Sequence, residues 1–435
     1  MEASGVMGHS KQVEGYEHGL FTALDIASSQ KQEYRPTTSS ATLTEFDIPP
    51  LPDKIFDIKS MTLFFNMGVR KRVNNEWKNL AAADVKKIGV CNNTPQSAFA
   101  SITITVADKE IGDSTGNNYS YLANMQTLFS SRPGVQDTLL ERRNFIKDQW
   151  DKWDSFDDDS ANRDRSAGFL KEWMPFTIPI HNDLLTIEGH FLPPNTKLKV
   201  TLKRSSDDFL LTKTGNDEYK VVIDDIHLKM YTMTPTPAAL NRFYTRFRNK
   251  APTLSYTQNV MKTYTVPRGN YDLSCHNLFF GDNLPDQVFV VMLDQDRYNG
   301  TMSKDPFKFD HFDLTSANLV VNGVSEPSNP YTFDVTTNNT EMYYELLENT
   351  GTAPFEMDCI NISPLEFRSG YFIMAWDRNP VKNNRAPPRK MDGGYMSIKM
   401  KTKTELPRNI TVLVYGSYIN ELQFKNDTVV TQNHF

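Results

Sequence analysis

Cysteine is scarce in this sequence: three in 435 residues, at positions 91, 275 and 359. No two form a CxxC pair and the count is odd, so neither a disulfide framework nor a cysteine-built zinc site is expected. They read as free thiols of a protein made in a reducing compartment. No apolar run reaches the ~18 residues of a membrane-crossing helix. The first residues, MEASGVMGHSKQVEGYEHG, lack a basic start followed by an apolar core, so no secretory signal is expected. A formal net charge of −6 gives no general attraction to nucleic acid. Helical periodicity is sparse as well.

What the chain has instead is strand signal. Hydrophobic residues make up 39% and charged residues 23%, a globular composition sufficient for two or three domains. Ser101-Ile102-Thr103-Ile104-Thr105-Val106 alternates as a half-buried strand does. Lys197–Lys203 alternates too, with Leu198, Val200 and Leu202 on one face and lysines on the other. Ser397–Lys403 repeats that pattern. Gln287–Leu293 is apolar on both faces and is expected as a central strand covered on both sides. The few helical signals are Tyr121–Ser130, a stretch capped by Asp137 that carries Leu140 and Phe145, and a helix started by Thr236-Pro237. In that last helix Leu240, Phe243, Tyr244 and Phe247 would form one stripe, as a linker or inter-domain packing element.

The two halves look alike. Ser101–Ile111 followed by the Tyr121 helix parallels Ala317–Val324 followed by Glu341–Leu347. At an offset of about 214, Leu192-Pro193-Pro194-Asn195 and the strand after it parallel Leu406-Pro407-Arg408-Asn409 and the strand Thr411–Tyr415. A structural duplication explains both. The expected fold is all-β: two eight-stranded antiparallel β-sandwiches in tandem, a double jelly roll with a few short helices in loops and linker. The expected boundaries are an N-terminal arm at 1–40, a first sandwich at 41–233, a linker with its helix at 234–254, a second sandwich at 255–425 and a tail at 426–435. The arm is polar and without periodicity, so it is expected to lack structure unless a neighbour holds it.

Reactive constellations are weak. Gly112-Asp113-Ser114-Thr115-Gly116 fits the GxSxG of a hydrolase elbow, but no alternating strand–helix pattern surrounds it, so it reads as a polar loop. His311-Phe312-Asp313 fits an iron-binding HxD, yet no histidine follows before His434 in the tail; His276 would need unusual geometry. His181 and His190 lack metal-ligand spacing. The aspartate-rich stretch from Asp148 to Asp164 lacks the alternation and turn glycine of a calcium loop and reads as a solvated insertion. Arg242, Arg246, Arg248 and Lys250 read as the basic outer face of the linker helix, with phosphate and base stacking as the other reading. Arg385, Arg389 and Lys390 around Pro387-Pro388 read as an exposed basic loop.

One stretch, Met261 to Pro327, carries a resemblance. Its marks are Tyr264-Thr265-Val266-Pro267-Arg268-Gly269-Asn270, Asn277-Leu278-Phe279-Phe280-Gly281, Leu284-Pro285, Asp296 with Tyr298-Asn299-Gly300, Lys304-Asp305-Pro306-Phe307-Lys308-Phe309, and Val321-Asn322-Gly323. In residues and order this resembles the second jelly roll of the Polinton/Maverick and adintovirus major capsid proteins, and the likeness extends over roughly residues 42–424. The long polar arm and the insertion near 150–165 depart from that pattern. The resemblance implies a hexon-like building block. Three chains would form a homotrimeric, pseudo-hexameric capsomer, and capsomers would tile an icosahedral shell around a double-stranded DNA genome. It implies a place in the virion and penton and minor capsid or cement proteins as partners. Contact with packaged DNA would be non-specific. No catalytic residue, cofactor or metal is expected. The candidate intersubunit contacts are Arg246, Arg268, Asn270 and Asn299. The competing readings are a β-sandwich oxygenase or carbohydrate-active enzyme, and a domesticated, transposon-derived binding protein that builds no shell.

Overall fold

The structure is a computed structural model that describes residues 25–113, 115–131, 133–149, 152–187, 191–248, 252–334, 341–350, 360–378, 393–425 and 428–432. The first sandwich contains β1 (Ile26–Tyr34), β2 (Leu43–Ile48), β3 (Ile55–Val73), β4 (Phe99–Val106), β5 (Lys109–Ile111), β6 (Met174–Pro179), β7 (Leu198–Arg204) and β8 (Tyr219–Pro235). One sheet runs β1-β8-β3-β6 and the other β2-β7-β4-β5. The second sandwich contains β9 (Thr253–Val266), β10 (Cys275–Gly281), β11 (Gln287–Asp294), β12 (Leu314–Val321), β13 (Val324–Thr332), β14 (Ile373–Asp377), β15 (Gly394–Thr402) and β16 (Ile410–Lys425). Its sheets run β9-β16-β11-β14 and β10-β15-β12-β13. Strand for strand the order is the same in both, and every strand pairing is antiparallel. This is a double jelly roll.

The sequence patterns account for most strands. In β7, Leu198, Val200 and Leu202 are buried while Lys203 is exposed. β11 lies between β16 and β14, and from Val288 to Leu293 no residue is more than 6% exposed. β4 is buried on both faces rather than half-buried, because the helix α1 (Asn118–Ser130) packs along it and Ser120 Oγ donates to Phe99 O at 2.8 Å. Val321-Asn322-Gly323-Val324 is a two-residue hairpin, with Asn322 and Gly323 both at positive φ (50° and 84°). That is the geometry an Asn-Gly turn favours.

Three expectations change. The arm does not extend to residue 40: Ile26–Tyr34 is the first strand of the first sandwich, paired along its length with β8. Its sequence, IASSQKQEY, is exposed at nearly every position, so no burial alternation marks it. The duplication is real, but its second sequence pairing is one strand out of step. β7 corresponds to β15, not to the strand at Thr411, since each is the seventh strand and neighbours the fourth. A Leu-Pro turn precedes β7 at Leu192-Pro193 and follows β15 at Leu406-Pro407, so the two turns are not equivalent. The stretch after Val135 is a π-helical segment (Gln136–Leu140) followed by a 3-10 segment (Glu141–Arg143) rather than one α-helix, and Asn144 adopts a left-handed conformation at φ 52°. The side chain of Asp137 lies outside the described residues.

The linker helix α2 (Pro237–Phe247) starts as expected, with Thr236 Oγ1 accepting from Ala239 N at 3.2 Å. It packs on the first sandwich: Ala239, Phe243, Leu240 and Phe247 meet Ile55, Met233, Ile26 and Phe191. Tyr244 leaves the expected stripe, 48% exposed, and donates to Pro52 O. The main apolar core runs continuously through both sandwiches.

Candidate assembly surfaces and the seam between the sandwiches

Three of the four candidate contact residues come together. The turn at 403–409 is the hub. Arg268 N donates to Asn409 Oδ1 at 3.0 Å, Leu406 N donates to Asn270 O, and Gln295 N donates to Asn409 O. The short helix Gln295–Asn299 therefore stands beside the 267–274 loop, and Arg268, Asn270 and Asn299 are all exposed at one end of the second sandwich. Asn270 Nδ2 donates to Pro267 O at 3.2 Å, which fixes its side chain within its own turn. Arg246 does not join them. It is exposed on α2, its guanidinium 5.4 Å from the Phe247 ring, at the opposite end of the strands.

The reactive motifs resolve into structure. Asp313 N donates to His311 Nδ1, and the His311 ring packs on Phe333 and Phe372. Thr115 N donates to Asp113 Oδ1 in the loop before α1, while Ser114 lies outside the described residues. His190, Lys250, Cys359 and the Arg385–Lys390 loop also lie outside them. Arg242 pairs with Asp25. Among the described residues, no group of three His, Cys, Asp or Glu side chains is arranged to hold a metal ion.

The aspartate-rich insertion is not a solvated loop throughout. Asp157, Asp158 and Asp159 are exposed, but Asp148 is 2% exposed and Trp153 3%. Together they clasp the second sandwich. Arg165, fully buried, donates to Asp148 Oδ2 and Oδ1 at 2.9 and 3.0 Å and to Asp305 Oδ2 at 3.3 Å. It also reaches Val90 O and Ile146 O, both at 2.7 Å. Arg297 forks onto Asp154 at 2.9 and 2.5 Å and donates to Asp305 O. Trp153 Nε1 donates to Ser369 O at 2.8 Å. Two sealed carboxylates thus share one sealed guanidinium. Burial disfavours their charged forms, pushing Asp148 upward and Asp305 up to about 7. The signal in the sequence was aromatic: Trp153 among the aspartates marks a loop that docks.

A second clasp holds the edge of β9. Thr257 N donates to Thr186 Oγ1 at 2.8 Å, Asn259 N to Asp183 Oδ2 at 3.0 Å, and Asn259 Nδ2 to Asp183 Oδ1 at 2.6 Å. Side chains of the first sandwich satisfy backbone donors that an edge strand otherwise leaves open. Among the described residues no cation pairs with Asp183, and burial pushes it up to about 7. A cavity of about 20 Å³ adjoins it, lined by Asp113, Asn118, His181 and Tyr415 among others, with room for about one water. Apolar contact completes the seam. Phe129 lies 5.0 Å from Phe289, and Tyr121 packs among Tyr298, Phe307 and Phe309. These polar groups are consumed in bonding to one another, an arrangement that holds two sandwiches in fixed relation.

The same architecture occurs in viral capsid proteins. A chain of the Sputnik virophage cryo-EM structure superposes with a TM-score of 0.61 at 10% identity, over 99% of this chain and 94% of that one. The Faustovirus major capsid protein gives 0.53 at 8% identity, over 96% and 93%. The mavirus major capsid protein gives 0.51 at 11% identity, over 99% and 96%. An uncharacterized Caenorhabditis elegans protein is 20% identical over 350 residues, covering 78% of this chain and 81% of its own length. No protein-family model matches the chain.

Proposed function

We propose that this chain is a major capsid protein of the Polinton/adintovirus kind, a shell component and not a catalyst. Three copies form a pseudo-hexameric capsomer, and capsomers tile an icosahedral shell around double-stranded DNA in a virion. The observation that carries the reading is the exact repetition of strand order in two sandwiches of one chain, locked by a sealed polar seam. Three such chains present six similar faces, and closed symmetry lets them fill hexagonal positions. Arg268, Asn270 and Asn299 stand at one end of the second sandwich and serve contacts there. Arg246 serves contacts at the other end. Penton and minor capsid proteins complete the shell. The natural divisions of the chain are a first sandwich from residue 26, a linker around α2, and a second sandwich from residue 253.

The likeness to a nematode protein favours a second reading, a host-resident copy of such an element that keeps the fold and builds no shell. Native mass measurement and negative-stain microscopy of the expressed chain separate the two. Three-chain particles or closed shells are expected; a stable monomer overturns the capsomer.

A further inference from the structure

Within the chain, the first sandwich covers the outer face of the second. α1 lies on the β9-β16-β11-β14 sheet: Phe129 meets Phe289, Gln126 bonds Tyr415, and Leu128 O accepts from Asn361 N at 3.0 Å. The β16 residues on that face, Thr411, Leu413, Tyr415 and Ser417, are 1%, 1%, 8% and 7% exposed.

The corresponding face of the first sandwich is covered only at one end, where α2 packs on Ile26, Ile55 and Met233. It presents His227, Lys229 and Tyr231 of β8, Lys31 and Glu33 of β1, and Phe64 of β3. These side chains share one side of the sheet: Lys31 lies over the Tyr231 ring, Lys229 over Phe64, and Phe64 stacks on His227. Beyond α2 the face is open: Lys31 is exposed and Tyr231 is 39% exposed.

The second sandwich has its own counterpart of α1. Both helices follow the fifth strand of their sandwich, α1 after β5 and α3 (Glu341–Asn349) after β13. α3 buries Met342 and Leu346 against β14 and β13. Its other side carries Glu341, Tyr344 and Glu348, which sit at helical spacing on one stripe, and Tyr344 is 49% exposed. An acidic stripe with one tyrosine suits a sheet face where Lys31 and Lys229 flank Tyr231, although Lys229 also lies 3.5 Å from Glu33.

We propose that α3 of one copy lies across the β1-β8-β3 face of a second copy, repeating between chains the contact that α1 makes within one. The contact is head-to-tail, so it closes into a ring or continues. It rests on the capsomer reading and specifies which surfaces build the capsomer. Opposite charges there set orientation and exclude other partners.

Carbodiimide cross-linking of the assembled full chain, prepared as an equal mixture of isotopically light and heavy protein, tests it. Mass spectrometry is expected to find light–heavy links joining Lys31 or Lys229 to Glu341 or Glu348. The variant Lys31→Glu with Lys229→Glu, and the variant Glu341→Lys with Glu348→Lys, are each expected to weaken association at least tenfold while the thermal transition of the monomer is kept. All four changes in one chain are expected to restore assembly. A wild-type chain that assembles without these links, with both double variants assembling normally, overturns the proposed surface and leaves the capsomer standing. A wild-type chain that stays monomeric overturns both.

Discussion

β1 and β9 hold the same place in two copies of one fold, and they differ in almost everything else. Each is the first strand of its sandwich and pairs on one side with the eighth strand. β9 meets the other sandwich on its second side, where Thr186 and Asp183 take up its backbone donors. β1 meets no strand on that side among the described residues, and its side chains from Ala27 to Glu33 are exposed. The fold therefore fixes where a strand lies, while the neighbour fixes whether it is buried. β9 is enclosed by the rest of its own chain, whereas β1 is an open edge.

The largest break in that comparison comes from the seam. Arg165→Met removes the guanidinium that Asp148 and Asp305 share and leaves both carboxyl groups sealed without that counter-charge. Removing one member of a buried ion pair costs about 3–5 kcal/mol. Denaturant unfolding of the variant should show that loss, and a change under 1 kcal/mol would mean that the network is not holding the sandwiches together.

Next in size is the cap on the β9 edge. Asp183→Ala leaves Asn259 N without its acceptor in a buried position, at a cost of about 1–3 kcal/mol. The matching truncation on the open edge, Gln30→Ala, touches an exposed side chain and should stay within about 0.5 kcal/mol. Equal losses at the two sites, measured on the unassembled chain, would erase the distinction between a covered edge and an open one.

The same contrast explains what could be read from the sequence. β11 was legible because burial on both faces writes an unbroken apolar run, Val288 to Leu293. The start of α2 was legible because Thr236-Pro237 is a local signal. β1 was illegible because its side chains face water on both sides of the strand, so no apolar alternation marks it. The seam was illegible for a different reason: Asp148, Asp183 and Asp305 look like surface residues until folding brings Arg165 to Asp148 and Asp305, 17 and 140 residues away, and Asn259 to Asp183, 76 residues away. Of the four candidate contacts, the grouping of Arg268, Asn270 and Asn299 depends on Asn409, a residue no local motif connects to them.

The last expected effect is a change of slope with pH, and it belongs to the seam alone. Asp183 and Asp305 begin near the ordinary carboxyl value of 3.8 in the unfolded chain and are pushed up to about 7 by burial in the folded one. The folded state thus holds protons more tightly than the unfolded state between those values. Stability from these groups is fully present below about pH 4 and is lost as pH rises through 7. Asp183→Asn keeps the shape, still accepts from Asn259 N, and has no proton to lose. Its unfolding free energy should fall less steeply from pH 4 to pH 8 than that of the wild type, with the two curves drawing together or crossing at the alkaline end. Gln30→Glu on the open edge should leave the slope as it is, because a carboxylate in water keeps its ordinary affinity for protons. Parallel curves for Asp183→Asn and wild type would show that Asp183 is ionised within the seam at neutral pH, and the sealed edge of β9 would then be held by a charge rather than by a proton.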